Sequence, residues 1–229
     1  GEINPFESIQ TNVIGAQNIV QASLYNNVEK VVALSTDKAV APINLYGATK
    51  LCSDKLFISA NYIKGARKIS FSVARYGNVM GSRGSVIPVF QKQKKTGTVT
   101  VTDKDMTRFN IKLEEAIETV LWMLFNCVGG EIVVRKAPSY KIIDVKKAIA
   151  PSAKIKIIGI RPGEKKHEEL ITEAESANTY SINKYYLNLS ALDKNSIKRY
   201  ITKFKAKKVE NNFRYNSYEN KDFLSVEEI

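Results

Sequence analysis

Two short runs of this 229-residue chain hold side chains suited to proton chemistry. One is Ser35-Thr36-Asp37-Lys38, which follows the apolar run Val31-Val32-Ala33-Leu34. The other is Tyr46-Gly47-Ala48-Thr49-Lys50. Their order predicts a buried strand, its polar end, a loop and then a helix. Four-residue spacing sets the Tyr46 phenol and the Lys50 ammonium on one helical face. An ammonium beside a phenol favours phenolate. Such a base suits removal of a proton from a sugar hydroxyl while hydride leaves for a nicotinamide. Asp37 and Lys38 add an acid and a second base at the strand end. By itself a Tyr and a Lys four apart describe many surface helices, so the surrounding elements decide its weight.

Those elements alternate. Asn4-Pro5-Phe6-Glu7 reads as a helix start, with Asn as cap and Pro in the first turn. Phe6, Ile9, Val13, Ala16 and Val20 recur at helical spacing behind it. Residues 31–35 read as a buried strand, 46–59 as a helix and 69–75 as a second strand. That strand feeds a glycine-rich loop, Tyr76-Gly77-Asn78-Val79-Met80-Gly81-Ser82-Arg83-Gly84. Alternation of this kind predicts a parallel α/β sheet. Beyond Val86 come a short basic helix, a strand at 99–101 and the segment Met106-Thr107-Arg108-Phe109. A helical apolar stripe follows at Leu113, Ala116, Ile117, Val120, Leu121 and Leu124. A strand is expected at 131–134, a helix at 142–150 and a strand at 154–160. From about Tyr180 the chain is polar and rich in Asn and Lys, and is read as a loosely packed extension.

Composition excludes several classes. With 44% hydrophobic residues the chain can build a core,. No run of eighteen apolar residues exists, so no membrane span is expected. Cys52 and Cys127 fit no metal or disulfide spacing and are expected to be buried, in a reducing cytoplasm. The single histidine, His167, rules out histidine-rich metal sites, and no metal is expected,. It is placed on a helix surface without a chemical task, and Trp122 in the core. A formal charge of +12 raises a nucleic-acid partner,. The lysines are scattered and no zinc-finger or RNA-binding motif accompanies them, so a solvated surface is the simpler account.

Taken together, these runs resemble the extended short-chain dehydrogenase/reductase superfamily, and within it the inverting UDP-N-acetylglucosamine 4,6-dehydratases of pseudaminic acid biosynthesis. The resemblance is carried by the Ala33 to Ala39 and Pro42 to Phe57 runs. It is carried also by Arg75-Tyr76-Gly77-Asn78-Val79, Gly81-Ser82-Arg83-Gly84-Ser85, Met106-Thr107-Arg108-Phe109 and Ile158-Gly159-Ile160-Arg161-Pro162-Gly163-Glu164-Lys165. It runs from about Asn4 to about Glu169 and weakens in the tail, where Tyr215-Asn216-Ser217 and the Leu224 region still look family-like. Other sugar-nucleotide dehydratases carry Asp-Glu where this chain has Asp37-Lys38. Membrane-bound relatives carry Met where it has Tyr46.

The resemblance implies a Rossmann-like doubly wound parallel sheet with a smaller α/β substrate-binding domain. Residues 1–88 would be the later part of the cofactor domain and 89–175 the substrate region. Residues 176–229 would be the extension. It implies Asp37, Lys38, Tyr46 and Lys50 as catalytic residues. Ser35, Tyr46, Lys50 and Tyr76 would face NADP. Thr36, Asn78, Arg108, Arg161 and Glu164 would hold UDP-N-acetylglucosamine, the arginines on the diphosphate and Glu164 on the ribose. Asn12 matches a helix Asn that relatives keep beside the catalytic strand. A homo-oligomer is implied, with no nucleic-acid or membrane partner. The product would serve surface glycans or flagellin glycosylation.

The superfamily opens with a strand, a Gly-x-x-Gly-x-x-Gly turn and a helix that cradle the pyrophosphate. That motif does not occur in these 229 residues. The chain is therefore expected to begin roughly a hundred residues into such a domain, to bind NADP poorly alone and to turn over little. Two alternatives stand beside the dehydratase: an epimerase or retaining dehydratase of the same superfamily, and a non-catalytic sugar-nucleotide binder.

Overall fold

The computed structural model describes residues 2–82 and 85–229. Arg83 and Gly84, which the glycine-rich loop includes, lie outside them. Asn4 accepts the Glu7 amide at 3.2 Å and Pro5 opens α1 (Pro5–Ile9), the start that cap and proline predict. A π-helical segment, Gln10–Ile14, leads into α2 (Gly15–Tyr25). Its wider turn rotates the phase of the apolar stripe. Ala16 and Val20 are buried, whereas Phe6 and Ile9 are exposed.

β1 (Lys30–Thr36) follows and ends in a 3-10 turn, Asp37–Ala39. α3 (Leu45–Ile63) then crosses back to β2 (Ser70–Tyr76). Asn44 caps α3 by accepting the Gly47 amide at 2.7 Å. The two strands pair in parallel, from Lys30 opposite Ser70 to Thr36 opposite Tyr76. A helical crossover is what parallel pairing requires. Phe57 and Ala60 of α3 pack with Ala33, Phe71 and Val73 and with Ala16 and Val20 of α2.

The chain then alternates between two compact units. The first comprises Gly1–Tyr76, Ile117–Lys136 and Leu170–Arg214; the second comprises Gly77–Ala116, Ala137–Glu169 and Tyr215–Ile229. In the second unit β3 (Asn78–Val79) is followed by α4 (Val86–Lys94), β4 (Thr98–Val101) and β5 (Thr107–Ile111). α5 (Leu113–Asn126) spans the next boundary, and β6 (Ile132–Arg135) belongs to the first unit. β7 (Ser139–Lys141), α6 (Ile142–Ile149) and β8 (Lys154–Ile157) return to the second. β9 (Glu169–Ile171) spans another boundary. The first unit resumes with α7 (Glu173–Ser176), β10 (Thr179–Ser181), β11 (Tyr185–Asn188), α8 (Lys194–Phe204) and β12 (Lys207–Lys208). β13 (Tyr215–Asn216) lies in the second.

The first unit holds a six-stranded sheet in the order β1-β2-β6-β11-β10-β12. It is parallel across β1, β2 and β6 and antiparallel beyond. The second unit pairs β4 with β8 in parallel and β5 with β3 and β7. Its core gathers Phe90, Val99, Val101, Met106, Tyr140 and Val145.

Four expectations need correction. The segment from Tyr180 is not loosely packed: Leu187, Leu189 and Tyr200 are fully buried against Met123 and Val133. On α5 the buried face runs through Ala116, Thr119 and Met123, while Leu113, Ile117 and Leu121 of the expected stripe are exposed. A four-residue repeat drifts around a 3.6-residue helix, so one apolar series cannot stay inside. Cys52 is exposed, although Cys127 is buried as expected. His167 lies in a bend rather than on a helix and is half-buried.

Candidate active site

In the first unit the proton-bearing side chains gather where β1 and β2 end. Parallel strands bring their carboxyl ends together, and the loops there are free to carry polar groups. Thr36 caps the 3-10 turn by accepting the Lys38 amide at 3.4 Å. That turn folds Asp37 inward, where its side chain is 0% exposed. One carboxylate oxygen, Oδ1, accepts the Thr36 hydroxyl at 2.8 Å and the Lys38 ammonium at 3.0 Å. The other, Oδ2, is buried with no hydrogen-bond partner among the described residues. An open buried acceptor is costly, so it marks a place for an incoming donor.

Tyr46 stands in the first turn of α3 and is 40% exposed. Lys50, one turn on, donates from Nζ to the Leu34 carbonyl at 2.9 Å and so ties α3 to β1. Between them Gly47 is buried, and a Cβ there would collide with the Lys38 carbonyl oxygen. Only glycine lets the first helical turn lie on the Asp37–Lys38 turn. Tyr76 is half-buried at the end of β2. Burial first, and the neighbouring Tyr46 second, push its phenol above the usual range. Asn12, in the π segment, donates to Thr49 Oγ1 at 3.0 Å. A cavity of about 330 Å³ beside β1 is bordered by Asn12, Leu34, Lys50 and Phe57.

Ser35, expected to face the cofactor, precedes Thr36 on β1. Its hydroxyl donates to Asp54 Oδ2 at 2.7 Å, and both residues are buried. Asp54 faces Arg75, whose Nη2 is 3.8 Å away. Arg75 also donates to Glu175 Oε1 at 2.9 Å and to the Leu170 carbonyl at 3.1 Å. Asp54 and Glu175 lie outside the residues that motif spacing singled out. The available signal was Asp54 sitting four residues after Lys50 on a helix face that is otherwise turned inward.

The second unit holds the remaining candidates. Asn78 pairs through β3 with Asn110 of β5, and its Oδ1 is buried without a hydrogen-bond partner among the described residues. Arg108 is buried and heavily engaged. It donates to the carbonyls of Thr107, Lys166 and Lys165 at 2.7, 3.0 and 3.0 Å and faces the Met106 sulfur. Glu164 and Glu168 stand 3.7 and 3.6 Å from it. Its fork therefore closes the 164–168 loop onto β5. Arg161 is the contrasting case: its side chain is 72% exposed, 3.5 Å from Glu164. Thus Arg108, Glu164 and Arg161 come together, while only Arg161 keeps its guanidinium in solvent. His167 Nδ1 is 2.8 Å from the Thr107 hydroxyl, and its ring packs on Tyr218. Among the described residues no group of three His, Cys, Asp or Glu side chains is placed to hold a metal. No described helix is long and apolar enough to cross a membrane.

A parallel α/β frame with this strand end and this helix has clear relatives, and the chain belongs to the polysaccharide biosynthesis protein family, which it matches over residues 1–189. It is 47% identical over 234 positions to the UDP-N-acetylglucosamine 4,6-dehydratase (inverting) of Campylobacter jejuni, spanning 100% of this chain and 70% of that protein. It is 41% identical over 190 positions to UDP-glucose 4-epimerase of Rickettsia canadensis, spanning 81% of this chain and 56% of that one. The crystal structure of Pen from Bacillus thuringiensis superposes with a TM-score of 0.88 at 37% identity, over 99% of this chain and 69% of that chain.

Proposed function

We propose that this chain carries the catalytic groups of a UDP-N-acetylglucosamine 4,6-dehydratase that inverts C5. The product would be a UDP-linked 2-acetamido-2,6-dideoxy-4-keto hexose. One observation carries the reading: the buried Asp37 carboxylate is ion-paired to Lys38 and keeps one oxygen open, in the unit that bears Tyr46 and Lys50. Identity across the whole chain with the Campylobacter enzyme supports it.

The residues present fit the reactive end of a nicotinamide cofactor. Tyr46 is open to solvent, Tyr76 lies beside it, and Lys50 is fixed on the strand end. These three residues would hold it, with Ser35 supporting from below through Asp54; NADP is the proposed form. When bound, the cofactor would supply the hydride acceptor for C4 and the hydride donor for C6. Tyr46, acting as the base, removes the C4 hydroxyl proton, and the fixed Lys50 ammonium supplies positive charge at that helix face,. The resulting ketone acidifies the C5 hydrogen. Elimination requires Lys38 as the amine and Asp37 as the acid, one proton between two groups that stand 3.0 Å apart. Lys38 then removes the C5 proton while Asp37 protonates the departing C6 hydroxyl as water. Lys38 redelivers a proton to C5 from the opposite face, which sets the inverted configuration. The proton held by Tyr46 resets Asp37 through solvent, so water is the only leaving group.

Thr36 is assigned to hold a sugar hydroxyl near Asp37. In the second unit, taken by itself, Arg161 offers a solvent-facing fork suited to a diphosphate. Glu164 suits ribose hydroxyls, and the open Asn78 oxygen takes a donor. Arg108 acts by shaping the 164–168 loop rather than by gripping phosphate.

The test is incubation of concentrated protein with UDP-N-acetylglucosamine and excess NADP in deuterium oxide, long enough to capture slow turnover, followed by NMR. The expected product is a 4-keto-6-deoxy sugar, inverted at C5 and carrying one deuterium there. Tyr46→Phe should lower the rate by about 10²–10⁴-fold. Retained C5 configuration, or C4 epimerisation without loss of water, would overturn the assignment. Binding of UDP without binding of NADP would make the chain a sugar-nucleotide binder instead.

A further inference from the structure

Asp54 is a buried carboxylate beside the candidate site, bonded to the residue that precedes Thr36. Ser35 stands opposite Arg75 in the β1–β2 register, and the next pair along is Thr36 and Tyr76. Asp54 accepts from Ser35 at 2.7 Å and faces Arg75 at 3.8 Å. It therefore clamps the residue immediately before each of those two strand ends. Lys50 lies one turn earlier on the same helix. Arg75 continues the chain to Glu175, which also closes the α7 capping box with Thr172. Four elements, β1, α3, β2 and α7, meet in this one ionic relay.

We infer that Asp54 is a positioning residue: it locks the Ser35 end of β1 and the Arg75 end of β2 to α3, and so fixes Thr36-Asp37-Lys38 against the Tyr46–Lys50 helix. The catalytic part of this inference rests on the dehydratase reading. A merely stabilising ion pair is a poor account of the arrangement. Buried pairs return little net stability, and apolar replacements are often as stable. Burial pushes the Asp54 carboxyl up, opposed by Arg75, the Ser35 hydroxyl and Lys50. Glu131 supplies a matched comparison. It is an equally buried carboxylate of the same unit, and it accepts from Tyr200 and from the Val128 and Gly129 amides. Among the described residues it makes no hydrogen bond or ion pair with residues 35–38.

The test compares Asp54→Asn with Glu131→Gln, and adds the milder Ser35→Ala in case the first variant folds poorly. Hydrogen exchange of the peptide spanning residues 35–38 is measured alongside turnover of UDP-N-acetylglucosamine. Asp54→Asn should speed exchange there about tenfold and lower kcat at least about tenfold, with KM moved less than about threefold. Ser35→Ala should move both in the same direction by less. Glu131→Gln should lower global stability and leave both readouts unchanged per folded molecule. If exchange at 35–38 rises no more in Asp54→Asn than in Glu131→Gln, Asp54 only stabilises the fold and the inference falls. If exchange responds but the unmodified protein does not dehydrate the sugar, the clamp stands and the dehydratase reading falls.

Discussion

At the scale of single residues, charge and burial decide what each candidate can do. Arg108 on β5 and Arg161 in the loop before Glu164 carry the same side chain, yet one is walled in by carbonyls and the other is open. Spacing cannot separate them; only the path of the 164–168 backbone does. His167 carries a prediction of its own. Burial first, then Lys166 and Arg108, hold its imidazole below the ordinary value of 6.5. The folded state thus prefers the neutral ring. The stability this gives is present above pH 6.5 and is lost as pH falls through the depressed folded value. Urea unfolding at pH 7.5 and 5.5 should show lower stability at the acid end, and His167→Gln should flatten that slope. An unchanged slope would mean that protonation of this ring is not coupled to folding.

At the scale of elements, the contact between α3 and the Asp37–Lys38 turn sets the site. Ala ordinarily favours a helix over Gly by about 1 kcal/mol. At position 47 the sign should reverse, because the new methyl meets the Lys38 backbone carbonyl. Gly47→Ala is expected to cost about 1–3 kcal/mol in urea melts and to lower turnover; a more stable variant would contradict the packing. This contact is also where legibility in the sequence ended. The strands β1 and β2 and the helix α3 could be read, since apolar runs, polar ends and an Asn cap are local signals. The collision at Gly47 and the Asp54 clamp join residues far apart in the chain, which periodicity does not report. The later strands were misread for another reason. Tyr185 and Leu187 alternate along β11, a pattern that Leu189 continues just past its end, and Ile197, Tyr200 and Phe204 follow a helical spacing on α8. Both patterns are short and set among Asn and Lys, so mean polarity outweighed periodicity.

At the scale of the whole molecule, β1 is the edge of the six-stranded sheet among the described residues. Its Leu34 side chain is 51% exposed. Unpaired edges with apolar side chains recruit other strands. For residues 1–229 taken alone, light scattering should show association that grows with protein concentration, and Leu34→Lys should suppress it; equal scattering from both proteins would free the edge of that role. The alternation of the two units has a consequence for how the protein is made. The chain passes between them five times, and Tyr215–Ile229 completes the second. Within that unit the Tyr215 hydroxyl bonds both the amide and the carbonyl of Ala137 at 2.9 Å, and its ring lies on Phe109. Phe109 leaves the ribosome more than a hundred residues before its aromatic partner. A nascent chain stalled short of Tyr215 would expose that surface to chaperones, so synthesis rate and chaperone supply should govern its yield in cells.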